Sequence, residues 1–236
     1  MSTLAFSESG ITMRTYLSIN YLTSAALLAK KAHDLEAGHR VEDWPDQTVL
    51  AEHHAFATSA IMMSAAAVEA FVNELFAECR DQGAMNHLGI STEKAALVAR
   101  IWTDVPKVER ESVLEKYELA LRLLDLPGLD RKSAATKAVD ALFALRNSLM
   151  HYKLVTREAG NEPEEQRLAD FEKKLQGYFA DNPLTGNGNP YFPDRVIGHG
   201  AAEWSVKTAV AFLDGFCQLL SATPPYEHLR STFATR

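Results

Sequence analysis

The stretch "LFALRNSLMHYK", residues 142–153, sets an arginine inside an apolar helical run and follows it with an amide and an imidazole. An imidazole exchanges a proton near neutral pH, and a guanidinium grips carboxylate or phosphate oxygens through its planar fork. On a helix that turns about 100° per residue, Val139, Phe143 and Met150 fall to one side of Arg146, with Leu142 and Leu149 on the other. Arg146 therefore sits in the middle of the apolar stripe. Asp140, Asn147 and His151 gather along one edge of it, and Asn147 and His151, four residues apart, are surface neighbours. Such a rim can move a proton beside a bound anion. It can equally be structural, with Arg146 paired to a carboxylate and His151 closing the helix near the negative end of its dipole.

A cation that faces a core needs a partner, because an unpaired buried charge is strongly destabilising. The helix expected over 54–80 supplies one. Its apolar face is Ile61, Val68, Phe71, Val72, Leu75, Phe76 and Cys79, and Glu69 and Asn73 lie at the edge of that face. A Glu69–Arg146 ion pair across two antiparallel helices satisfies both groups. The candidate site is therefore Arg146, Asn147 and His151, supported by Glu69 and Asn73.

Helical spacing of apolar residues predicts the elements that must position this site. Helices are expected over 15–36, 54–80, 91–102, 106–125, 134–153, 164–178 and 201–220. Ser91 or Thr92 and Ser133 suit N-caps, Pro106 and Pro163 suit helix starts, and Gly38, Gly83 and Pro127-Gly128 mark stops. Residues 181–200, "DNPLTGNGNPYFPDRVIGHG", hold three prolines and four glycines. They read as a loop over one end of the fold, with a short hairpin around 186–189. The expectation is an all-α bundle of five to seven helices, one domain over 1–236, with 1–45 as an N-terminal helical extension.

Composition narrows the function. The chain has 236 residues, 47% of them hydrophobic, and a net charge of −7. It lacks the basic field of a protein that coats nucleic acid, although local binding of a phosphate chain stays open. Cys79 and Cys217 are far apart and outside any CxxC spacing, as expected of reduced thiols in the cytoplasm. The N-terminus has no basic, apolar leader pattern. The apolar run 53–68 is short for a membrane span, so no membrane association is expected. No HExxH, Cys/His cluster or Gly-rich phosphate loop appears, so neither metal nor cofactor is expected. His53 and His54 point to different helix faces, and His33 and His39 straddle a helix end. His199, in a loop just before a helix, could contribute to a site, but loop histidines are more often solvated.

The run Arg146-Asn147-Ser148-Leu149-Met150-His151, following "AVDALFAL", resembles the signature of the HEPN superfamily: Arg, four to six residues, then His, often with a polar residue after the Arg. A second match, Arg80 to His87, crosses the expected helix stop at Gly83 and lacks that helical setting. "SAAAVEAFVNELF" (64–76) looks like the HEPN helix that packs on the motif helix, and "FPDRVIGHGAAEWSV" looks like the C-terminal part of bacterial HEPN-like proteins. The resemblance covers roughly 50–222.

The resemblance implies a metal-independent endoribonuclease of toxin or anti-phage type, acting as a homodimer with its motifs face to face. An antitoxin or regulatory protein would be its partner. Other members are non-catalytic interaction or nucleotide-binding modules. In the catalytic case the RNA 2′-OH attacks the adjacent phosphate. His151 carries protons, Arg146 clamps the phosphate, and Asn147 orients one or the other. One histidine cannot readily be base and acid at once, which gives the dimer a chemical reason. Further cations for an RNA groove would come from Lys153, Arg157, Arg195 or the 181–200 loop.

Overall fold

The computed structural model describes residues 2–7, 10–39, 46–81, 88–154, 168–186 and 188–236. The architecture is all-α. Seven α-helices are found among the described residues: α1 (Leu17–Gly38), α2 (Gln47–Arg80), α3 (Thr92–Asp104), α4 (Val113–Leu123), α5 (Ala134–Met150), α6 (Asp170–Leu175) and α7 (His199–Leu219). One antiparallel hairpin precedes them, β1 (Ser2–Ser7) with β2 (Gly10–Thr15), in the register Ser2↔Thr15 to Ser7↔Gly10. The expected helical extension thus begins with strands. Ile11, Thr12 and Thr15 favour extended backbone, but six-residue runs are too short to declare a period.

The hub is α2. At 34 residues it spans about 50 Å at 1.5 Å per residue. It is the one described helix long and apolar enough to cross a membrane by length and composition. Its apolar face is instead occupied by the other helices, as in a core helix. Ala25, Ala26, Ala29 and Ala32 of α1, Ala57 and Ala60 of α2 and Ala202 of α7 are fully buried. These small side chains let three helix backbones approach closely. Towards the far end of α2 the fill becomes large. Tyr117, Phe212 and Phe216 meet edge to face at 4.7–4.9 Å, and the Tyr117 hydroxyl donates to the Val68 carbonyl at 2.7 Å. A second cluster, Ile61, Ala65, Leu142, Leu145, Leu175 and Phe192, lies where α5 and α6 meet α2.

Several helix ends differ from expectation, each for a local reason. α2 starts at Gln47 because the Asp46 carboxylate accepts from the Thr48 N–H at 2.9 Å. The helix expected over 106–125 begins only at Val113, after a 3-10 turn at Val108–Arg110, where Ser112 and Glu115 form a capping box. α5 stops at Met150, short of 153. Of the helix expected over 164–178, only α6 is found among the described residues; 164–167 lie outside them, as do Gly83, His87 and Arg157. Gly186 and Asn189 close a turn through Asn189 N–H to Gly186 O at 3.0 Å, with no strands beside it among the described residues.

His199 corrects the expectation of a solvated loop histidine: it is the first residue of α7 and buried. The N-cap of α7, Gly198, has no side chain to offer. The Glu36 carboxylate of α1 reaches across instead, accepting from the His199 N–H at 2.6 Å and pairing with His53 Nε2 at 2.7 Å. One part-buried carboxylate thereby ties α1, α2 and α7 together.

Candidate functional site

α5 positions the motif. Ser133 caps its N-terminus by accepting from Thr136 N–H at 3.2 Å. Val139, Leu142 and Leu145 are fully buried and fix the helix's rotation against α2. That rotation puts Arg146 at the α2–α5 seam. Its Nη2 donates to Glu69 Oε2 at 2.9 Å, so the ion pair expected from the helix wheels is present. The guanidinium also lies 5.3 Å from the Phe143 ring centroid and meets Met150 Sδ at 3.8 Å. The side chains of Arg146 and Glu69 are 20% and 38% exposed, so the pair faces partly to solvent. Asn73, one turn along α2, accepts from the nearly buried Lys116 of α4 at 3.1 Å and is not joined to Arg146 by a hydrogen bond.

His151 ends the helix. Its N–H bonds to the Asn147 carbonyl at 2.9 Å while its own backbone leaves helical geometry at φ −115°, ψ 41°. The residue is exposed, and its imidazole has no hydrogen-bond partner among the described residues. It lines an open cleft of roughly 420 Å³ together with Asn147 and Lys153. Arg146 is not in that lining. The structure thus joins Arg146 to Glu69 and, separately, places Asn147 and His151 on the cleft.

The cleft's lining is also aromatic: Tyr152, Phe171 and Phe192, with Phe171 edge-on to Phe192 at 5.1 Å and Tyr152 tilted over Phe192 at 6.1 Å. Tyr152 adjoins the motif but lies about 100° from His151 on a continued helix, which argues against a shared site; the chain leaves helical geometry at His151, and both residues line the cleft. Phe171 and Phe192 come from separate segments, so no spacing announces them. Glu172, fully buried, holds that lining. Its Oε1 accepts from the Phe192 N–H at 3.2 Å and its Oε2 from the Ala169 N–H at 2.6 Å. No aspartate or glutamate lines the cleft among the described residues, although the chain is acidic overall.

Arg195, a candidate cation from the 181–200 loop, lies elsewhere. It pairs with Asp181 through Nε at 2.9 Å and Nη2 at 2.5 Å and sits over the Tyr191 ring. Among the described residues, no group of three or more His, Cys, Asp or Glu side chains could hold a metal ion. No family model, curated protein or solved structure matches the chain. The HEPN resemblance rests on the motif and its helical setting.

Proposed function

We propose that this chain is a metal-independent endoribonuclease of HEPN type, cytoplasmic and acting as a homodimer, in a toxin or anti-phage role with a cognate regulatory partner. The observation that carries this reading is His151: an exposed imidazole with no hydrogen-bond partner among the described residues, on the wall of an open cleft, with Asn147 beside it. In the proposed reaction one His151 takes the 2′-OH proton as that oxygen attacks phosphorus. The 5′-oxygen leaves with a proton from the partner copy's histidine, and a cyclic phosphate remains. Arg146 offers its remaining N–H donors to the phosphate. Met150 and Leu154, 55% and 86% exposed beside the motif, give a second copy apolar surface to cover.

The Glu69 ion pair favours a second reading, in which Arg146 is structural and the protein is a non-catalytic interaction or nucleotide-binding module. One experiment separates the two. Purified protein is incubated with total cellular RNA in EDTA, beside His151→Ala and Arg146→Ala variants whose folding is checked by circular dichroism. The ribonuclease reading expects wild-type cleavage that both variants lose. Equal cleavage by all three, or none by any, would overturn it.

A further inference from the structure

Residues 190–195 border two cavities. Pro190, Phe192 and Pro193 line the cleft at His151, whereas Tyr191 and Arg195 line a second one of roughly 330 Å³ that shares no lining residue with the first. That volume lies at the small end of ligand sites. The second cavity brings Asp181, Arg195, the Tyr191 hydroxyl and the Gln176 amide together beside apolar Leu168 and Phe179. Gly177, at φ +81°, turns the chain out of α6 towards Phe179, whose ring rests on Trp204 of α7 at 5.2 Å. The charged pair is held in place by buried Asn182. Its N–H donates to the Arg195 carbonyl at 2.7 Å, and its side-chain amide to the Asp194 and Ile197 carbonyls at 3.2 and 2.9 Å. The Arg195 guanidinium lies 5.8 Å from the Tyr191 ring centroid.

The pair leaves half of its bonding capacity unused. Arg195 donates from Nε and Nη2, and both bonds end on Asp181 Oδ2. Asp181 Oδ1, Arg195 Nη1, the Tyr191 hydroxyl and the Gln176 side-chain amide have no hydrogen-bond partner among the described residues. Burial and the Asp181 charge, against the pull of Arg195, raise the Tyr191 hydroxyl to about 12, so it is a donor at neutral pH. A lone anion in this cavity meets the Asp181 carboxylate as well as Arg195, and a lone cation meets Arg195 as well as Asp181, so neither gains much net attraction. A ligand that carries both charges close together can lie antiparallel to the pair and satisfy both. We infer that the cavity binds a small zwitterion of the α-amino acid class. Its carboxylate lies at Arg195 Nη1 and the Tyr191 hydroxyl, its ammonium at Asp181 Oδ1, and an apolar side chain against Leu168 and Phe179. The RNA-cleaving reaction proposed above uses none of these residues, so the two readings stand or fall separately.

Isothermal titration calorimetry of the full-length protein tests this. The probes are L-leucine and L-phenylalanine, each also as its N-acetyl derivative, which keeps only the carboxylate charge, and as its amide, which keeps only the ammonium. The proteins are wild type, Asp181→Asn and Tyr191→Phe; the first keeps the side chain's shape and the second keeps the buried ring. At least one free amino acid should bind wild type with a Kd of about 1 mM or tighter, and blocking either of its charged ends should weaken binding about tenfold or more. Asp181→Asn and Tyr191→Phe, with wild-type circular dichroism spectra, should each bind that amino acid about tenfold more weakly. The blocked derivatives probe the same contacts in wild type, so the comparison holds even where a variant fails to fold. No binding of either amino acid at about 10 mM, equal affinity for a blocked derivative, or unchanged affinity in either folded variant would overturn the inference.

Discussion

Replacing Glu69 by Gln should separate the structural from the functional share of Arg146. The two charges meet at 2.9 Å. At an effective dielectric of about 20 their bare attraction is roughly 6 kcal/mol. Desolvation of both groups and the ordering of two long side chains offset most of that. Measured exposed pairs are worth about 0.2–1 kcal/mol. With Arg146 mostly covered and Glu69 more than a third exposed, we expect a coupling of about 1 kcal/mol after solvent screening. A double-mutant cycle of wild type, Glu69→Gln, Arg146→Met and the double variant, followed by urea unfolding, reads this directly. A coupling within about 0.3 kcal/mol of zero would refute the reasoning, because additivity is then complete. The same variant tests function. If a phosphate must draw Arg146 away from Glu69, Glu69→Gln spares that cost and tightens RNA binding about fivefold. Unchanged RNA affinity with the coupling intact would assign Arg146 to the fold alone.

Two other outcomes follow from the packing of α7. A Cβ on Gly200 would stand 2.4 Å from the Ala180 carbonyl oxygen, so Gly200→Ala should cost about 1–3 kcal/mol and lower the melting temperature by roughly 2–4 °C per kcal/mol. Gly215, on the same helix, has nothing within 4 Å of the corresponding position; Gly215→Ala should raise stability by about 0.5–1 kcal/mol, and loss of stability there would refute the packing argument. Stability should also fall with acid in two stages. Burial holds the His199 imidazole below its usual range, against the opposing pull of the Ala29 carbonyl, Glu203 and Glu36. The unfolded chain takes that proton at about pH 6.5 and the native chain only lower. This contribution is therefore complete above about pH 6.5 and lost as pH falls towards the native value. Burial raises the Glu203 carboxyl, but hydrogen bonds from Arg236, Lys207 and Thr235 outweigh it and hold it at about 2. Its contribution, about 1–2 kcal/mol after screening, is present above pH 4.5 and lost as pH falls towards about 2. Urea unfolding from pH 7 to pH 5 should show the first stage in wild type and a flatter profile in His199→Gln; parallel profiles would remove His199 from the account.

What the sequence made legible was local. The apolar stripe of α5 fixes which face Arg146 shares, and the stripe of α2 puts Glu69 at the matching edge, so two helical periods suffice to anticipate their pairing. Ser91 and Ser133 are caps for the same reason: a hydroxyl beside the first free N–H groups needs no distant partner. Contacts between segments remote in sequence were not legible. Glu36 meets His199 across 163 positions, and nothing around either residue says that the cap of α7 comes from α1. His199 reads as a loop residue because it ends the Pro- and Gly-rich run 181–200, yet Gly200 within that run is what allows Ala180 to approach.

The same distinction bears on the site. A periodic motif can place a cation, an amide and an imidazole along one rim, but it cannot say which of them share a cleft. Arg146 and His151 are five residues apart, about 140° around a helix, and the chain leaves helical geometry at His151. That break lets the imidazole face the aromatic wall while Arg146 stays at the α2 seam. If the two act on one phosphate, the phosphate must bridge from the cleft to the seam, or the Arg146 of a second copy must supply the clamp. The Glu69→Gln binding measurement and the His151 and Arg146 cleavage variants together decide this. Because the proposed reaction takes one His151 from each copy, a mixed dimer of a His151→Ala chain and an Arg146→Ala chain keeps a single imidazole and should stay inactive; recovered cleavage in it would show that one His151 suffices and that the Arg146 clamp acts from the second copy.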